Sequence, residues 1–107
     1  MSDSVEWLAG LLEGEGSFFI SRSRARNKNR PCVRIEMTDR DVVARASVSA
    51  GHILGRKPMA VCAQRIRNGW TQSFRVQWVG GPAIDLIKKI RPYMGIRRGG
   101  KIDQFSP

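Results

Sequence analysis

The sequence predicts an α+β domain: a curved four-stranded antiparallel sheet with helices on one face and the other face open. Three observations predict it. Apolar and polar residues change period along the chain so as to give the order α-β-β-α-β-β-α. An Asn68-Gly69 dipeptide centres a hairpin whose two arms share one apolar face. The remaining strand positions are mostly polar or basic, as suits a face turned away from a core.

The first helix is predicted over Val5–Glu13, with Asp3 as N-cap and Glu6 closing a capping box. It is apolar almost all round, at Trp7-Leu8-Ala9-Gly10-Leu11-Leu12, which predicts burial on more than one side. Ser17–Arg24 follows as a strand, with Phe18 and Ile20 on one face and Ser17, Phe19, Ser21 and Ser23 on the other. Residues 25–31 form a basic turn. A second strand, Cys32–Thr38, alternates Val33, Ile35 and Met37 with Cys32, Arg34 and Glu36. Thr38 or Asp39 then caps a helix over Asp41–Ala50, which Gly51 ends.

A two-residue turn at Asn68-Gly69 sets the register of the next hairpin. Ala63 then opposes Phe74, Val61 opposes Val76 and Met59 opposes Trp78, six apolar residues that define a core face. Cys62, Gln64, Ile66, Thr71, Ser73, Arg75 and Gln77 fall opposite. The last helix runs from about Pro82 to Ile90, with Pro in its first turn and Pro92 beyond its end, before a basic tail.

The chain of 107 residues suits one domain spanning residues 1–107, and its 41% hydrophobic content suits a folded core. No apolar run approaches the roughly 20 residues that span a bilayer, which predicts no membrane partner. The acidic start, Met-Ser-Asp-Ser-Val-Glu, is unlike a secretory signal, so a cytoplasmic or organellar protein is expected rather than a secreted one. Cys32 and Cys62 are then expected as free thiols. Lone His52 and the two cysteines lack zinc-ligand spacing, and one His excludes a His-rich nuclease centre.

Charge is the strongest compositional signal. Nineteen Lys+Arg stand against nine Asp+Glu, a net of +10. Four of those acids (Asp3, Glu6, Glu13 and Glu15) lie in residues 1–16, which hold no base, so the rest of the chain is more basic still. Most of the bases are Arg, whose planar fork fits phosphates and guanine edges. A polyanion is the expected partner, and nucleic acid is its commonest form.

Residues 8–16 read Leu-Ala-Gly-Leu-Leu-Glu-Gly-Glu-Gly, followed by Ser17-Phe18. Gly10 and Gly14 lie four apart on one helical face, and small residues at that spacing let two helix backbones approach closely. Only one such helix is predicted, so its partner is expected from a second copy of the chain. This stretch resembles the LAGLIDADG motif of homing endonucleases, with both acids present as Glu. Ile35-Glu36-Met37-Thr38-Asp39 resembles that family's second strand entering its next helix, and Ile90-Arg91-Pro92-Tyr93 resembles the end of its third helix.

The resemblance implies the LAGLIDADG homing-endonuclease fold and a homodimer that cuts double-stranded DNA at a long, near-palindromic site. It implies an interface built from Trp7, Leu8, Gly10, Leu11 and Gly14. It gives Glu15 the position of the metal-binding acid, with Mg2+ as cofactor and Mn2+ as a substitute. Glu13 fits a structural role toward a neighbouring helix end. Asp39 lies where the family often places a residue that orders active-site water, though a helix N-cap serves it equally well. Arg97, or Arg98 if the register slips, aligns with a basic residue near the scissile phosphate.

The open face supplies the expected DNA contacts. Arg34, Glu36, Gln64, Arg75 and Gln77 have the chemistry for base edges, with Ser21, Ser23, Thr71 and Ser73 as adaptable partners. Arg24, Arg26, Lys28 and Arg30 in the basic turn, and Arg65 and Arg67 at the hairpin tip, suit phosphates. No small-molecule substrate is expected. Two other functions fit the same fold: a regulator that binds DNA without cutting it, and a maturase that holds folded intron RNA.

Overall fold

A computed structural model describes residues 5–23, 28–64 and 71–95. Helix α1 (Val5–Glu15) passes directly into strand β1 (Gly16–Ser23), which pairs with β2 (Lys28–Met37). Helix α2 (Arg40–Leu54), the short β3 (Cys62–Ala63), β4 (Phe74–Val79) and α3 (Gly81–Ile90) follow, and a 3-10 turn covers Arg91–Tyr93. The sheet is antiparallel, in the order β1-β2-β4-β3. This is the predicted element order.

The core lies between the helices and one face of the sheet. Phe18, Val33, Ile35, Val76 and Trp78 project from the strands and are almost fully buried. Leu8, Ala9 and Leu12 of α1 meet them, with Val43, Ala46 and Ala50 of α2. On α3 the buried set Ala83, Leu86, Ile87 and Ile90 follows the spacing of one helical stripe. Trp78 is the largest side chain in this core, and cutting it to Ala would cost about 3–5 kcal/mol.

The passage from α1 to β1 depends on a glycine. A Cβ at Gly16 would press into the carbonyl oxygen and Cα of Leu12, both backbone atoms of the preceding turn. Without a side chain there, the helix turns into the strand with no intervening loop.

Several expectations are corrected. Helix α2 does not stop at Gly51. It continues to Leu54 and ends at Gly55, whose φ of 64° is left-handed. The Arg56 N–H donates to the Gly51 carbonyl and the Gly55 N–H to the His52 carbonyl, the paired bonds of a Schellman cap. Gly51 instead gives close passage, because a Cβ there would meet Arg56 O and Pro58 N.

The hairpin register holds, with Ala63 opposite Phe74 and Cys62 opposite Arg75, but the β3 arm is only two residues long. Met59 is 41% exposed rather than core, and Ala63 is exposed too. The Met59 carbonyl accepts from the Ser47 hydroxyl of α2, so this segment bonds to the helix instead of extending the ladder. Ile20, expected beside Phe18, is 39% exposed. It lies on an edge strand, while α2 and α3 pack over β2 and β4.

Candidate nucleic-acid interface

The register sorts the open face of the sheet into rows. Glu36 of β2 lies opposite Arg75 of β4, which lies opposite Cys62 of β3. The next row is Ser17, Arg34 and Gln77, and the one after it Phe19, Cys32 and Val79. Lys28 and Arg30, expected in the basic turn, lie instead in β2, which starts at Lys28 rather than Cys32, and they oppose Ser23 and Ser21.

These rows are bonded within themselves. Arg34 Nε donates to Gln77 Oε1 at 2.9 Å, and the Arg34 guanidinium lies 4.7 Å from the centre of the Phe19 ring. Arg75 holds Glu36 Oε1 with both Nε and Nη2, each at 3.0 Å. Both sites place an arginine, held by a polar neighbour, in the middle of a half-exposed face. Such groups fit base edges in a DNA major groove. Cys32 belongs to this face, yet it is fully buried between its cross-strand neighbours Phe19 and Val79. Burial pushes its thiol pKa up, and the positive charges of Arg34 and Arg75 pull it part of the way back.

Other expected contacts fare differently. Gln64 turns its amide back to donate to the Cys62 carbonyl at 3.2 Å, leaving its oxygen as an acceptor. The Ser73 carbonyl accepts from Gln64 N and from the Gln72 amide, and Gln72 also bonds the Gln64 carbonyl. Thr71 is exposed just ahead of β4. Arg24, Arg26, Arg65, Arg67, Arg97 and Arg98 lie outside the described residues, as do the Asn68-Gly69 turn and the side chains of Ser21, Ser23 and Lys28. Phe19 was missed as a site residue. Its alternation with Ser17 and Ser21 placed it on the face, but its contact with Arg34 depends on strand pairing.

Helix α1 has one packed side and one bare side. Glu6, Gly10 and Gly14 are exposed at successive helical turns, and a Cβ at either glycine would meet nothing within 4 Å. Among the described residues the helix is therefore packed on one side only, not on more than one as expected. Leu11 is half-buried beside this stripe and also touches the core. Trp7 is half-buried too, with the Arg45 guanidinium 4.4 Å from its ring centre. Leu8 must be withdrawn from the expected interface: it is fully buried, since its i, i+4 partner Leu12 faces the same core.

The bare stripe ends at Glu15, the last residue of α1, which is exposed. Gly16 pairs with Ile35, so Glu15 lies at the end of the sheet where β2 leads to Asp39. Asp39 caps α2: its Oδ1 accepts from the Val42 N–H at 3.2 Å. Glu13 reaches the chain beyond the 3-10 turn, where its Oε1 accepts from the Gly95 N–H at 2.8 Å. The same end of the molecule thus gathers Glu15, the Asp39 cap and the Glu13–Gly95 tie. Among the described residues, no three His, Cys, Asp or Glu groups converge as a metal cage. No described helix is long and apolar enough to cross a membrane.

No protein-family model and no curated protein matches the chain. Its architecture is similar to solved LAGLIDADG homing endonucleases. One is I-GzeII, solved in complex with a DNA target: TM-score 0.69, 14% identity, 97% of this chain and 34% of that one. Another is I-CvuI, solved with DNA targets in the presence of Mg, where the DNA is not cleaved, and in the presence of Ca. Those two structures give TM-scores of 0.51 and 0.52 at 21% identity, each covering 94% of this chain and 66% of the other. The chain therefore spans about a third of the length of I-GzeII and just under two thirds of I-CvuI. The likeness shows the fold, which is that of the LAGLIDADG homing endonucleases.

Proposed function

We propose that this chain is one subunit of a homodimeric, Mg2+-dependent endonuclease that binds and cuts duplex DNA at a long, near-palindromic site. One observation carries the reading: α1 bears a bare glycine stripe that leads straight to an exposed carboxylate, at one end of a basic, open sheet. Two copies packed along that stripe about a twofold axis would bring two Glu15 side chains together and join two sheets into one concave surface. The DNA complexes of similar fold support the choice of partner.

Glu15 fits a divalent cation as an exposed hard-oxygen donor at a helix C-terminus, where the dipole is negative. A site with few protein ligands suits Mg2+, which keeps several waters. When bound, the metal supplies an activated water and stabilises the leaving oxygen of the phosphodiester. Asp39, held by its own cap bond, would accept from water near that centre. Arg97 follows the Gly95 anchor by two residues in sequence and would meet the phosphate. Arg34, Glu36, Arg75 and Gln77 would read bases. Such an enzyme would work in a cytoplasm or an organelle and serve a mobile genetic element.

The test is selection from a randomised duplex library, followed by incubation of the selected duplexes with Mg2+. The expected result is double-strand cleavage by the wild type, and binding without cleavage by Glu15→Gln. Binding should fall steeply with salt as counterions are released. A wild type that binds tightly and never cuts would instead be a regulator. Preference for folded intron RNA over any duplex would make it a maturase.

A further inference from the structure

We propose that Glu36 is a specificity-determining residue that acts through Arg75, lowering affinity for DNA in general while restricting one position of the site to a G·C pair. The inference rests on the open sheet face being the DNA-contacting surface.

The two arginines of this face are held differently. Arg34 donates to Gln77, a neutral amide, and stacks on Phe19. Arg75 is held along one edge of its guanidinium by a carboxylate, with Nε and Nη2 both on Glu36 Oε1. A planar guanidinium fixed along one edge keeps its remaining N–H groups in a set plane. Nη1 has no bond among the described residues, and it and the outer N–H of Nη2 make the fork that guanine O6 and N7 accept. Glu36 keeps an oxygen for the same base pair, since Oε2 takes no part in the contacts with Arg75. A carboxylate accepts from the cytosine N4 amino group. The side chains are 33% and 40% exposed, so both can be reached from the face.

A G·C pair at this position satisfies both members. A phosphate offers the carboxylate only acceptors, and an A·T pair offers it the adenine N6 donor but denies Arg75 the paired O6 and N7 acceptors, so neither satisfies both members. Glu36 also places a negative charge on a surface that approaches a polyanion. Arg75 is thereby discouraged from binding phosphates indiscriminately. Arg34, with its neutral partner, carries no such restriction.

The test uses the full chain as wild type, Glu36→Gln and Arg75→Lys. Each is offered a randomised duplex library in EDTA, the bound fraction is sequenced, and affinity for unselected duplex is measured across salt concentrations. Glu36→Gln keeps the shape and the acceptor but loses the charge, and its partly exposed position leaves the core untouched. We expect it to bind unselected duplex several-fold more tightly than wild type. At one G·C position per half-site its preference should fall from on the order of tenfold or more to a few-fold. Arg75→Lys should lose the same position without the gain in general affinity. The proposal is overturned if Glu36→Gln keeps the wild-type base profile, or binds unselected duplex no more tightly. A wild type that binds no duplex overturns the reading of the face as well. A selective wild type whose profile Glu36→Gln does not change overturns this inference alone.

Discussion

Three glycines of one short segment behave in two ways. Gly16 is buried, and any side chain there would strike the backbone of Leu12. Gly10 and Gly14 are exposed, and a Cβ on either would meet nothing. Gly16 is required by the subunit's own fold, because it lets α1 turn directly into β1. Nothing among the described residues requires Gly10 or Gly14, although each glycine costs helix stability of about 1 kcal/mol relative to Ala. In the proposed dimer the outward glycines would lie against a neighbouring helix backbone, whereas the inward one is explained by the subunit itself. The acids divide in the same way: Glu13 is tied to Gly95, while Glu15 is exposed.

If that division is right, substitutions on the two sides should separate function from stability. The largest effect is expected at Glu15. Glu15→Gln should lower the cleavage rate by about a hundredfold or more, with duplex affinity and thermal unfolding unchanged. A rate within a few-fold of wild type would remove Glu15 from the chemistry. Gly16→Ala should do the reverse and destabilise the subunit by about 1–3 kcal/mol, seen as a lower denaturant midpoint. An unshifted midpoint would show that the α1–β1 turn has room to relax. Glu13→Ala should cost about 1 kcal/mol by removing the acceptor for the Gly95 N–H, and Glu13→Gln should restore most of that loss. Equal losses in both variants would mean that charge, not the hydrogen bond, holds the tie.

Much of this fold was legible in the sequence where the governing interactions are local. The Asp39 cap and the Pro82 start of α3 follow from a few adjacent residues, whereas α1 runs two residues past the expected Glu13 to Glu15 and its expected Asp3 cap lies outside the described residues. The β3–β4 register followed from the Asn68-Gly69 spacing, and Ala63 does lie opposite Phe74. What failed depends on contacts between distant segments. Gly51 looks like a helix stop but is a point of close passage for Arg56 and Pro58. Met59 fits an alternating strand, yet its carbonyl is taken by Ser47. Leu8 belongs to the motif, but its direction is set by the core beneath it. The chemistry of the face was legible as residue types, and the joining of Glu36 to Arg75 and of Arg34 to Gln77 was not. Both pairs need the β2–β4 register, which brings together residues 39 and 43 positions apart.

The most direct test of the division between inward and outward glycines is the mass of the protein in solution, wild type against Gly10→Leu, by sedimentation equilibrium. The account predicts about twice the 12.0 kDa subunit mass for the wild type. For Gly10→Leu it predicts the single subunit mass, with a thermal midpoint for the subunit that is not lowered. A wild type that stays at 12.0 kDa at every concentration, with or without duplex DNA, would contradict it.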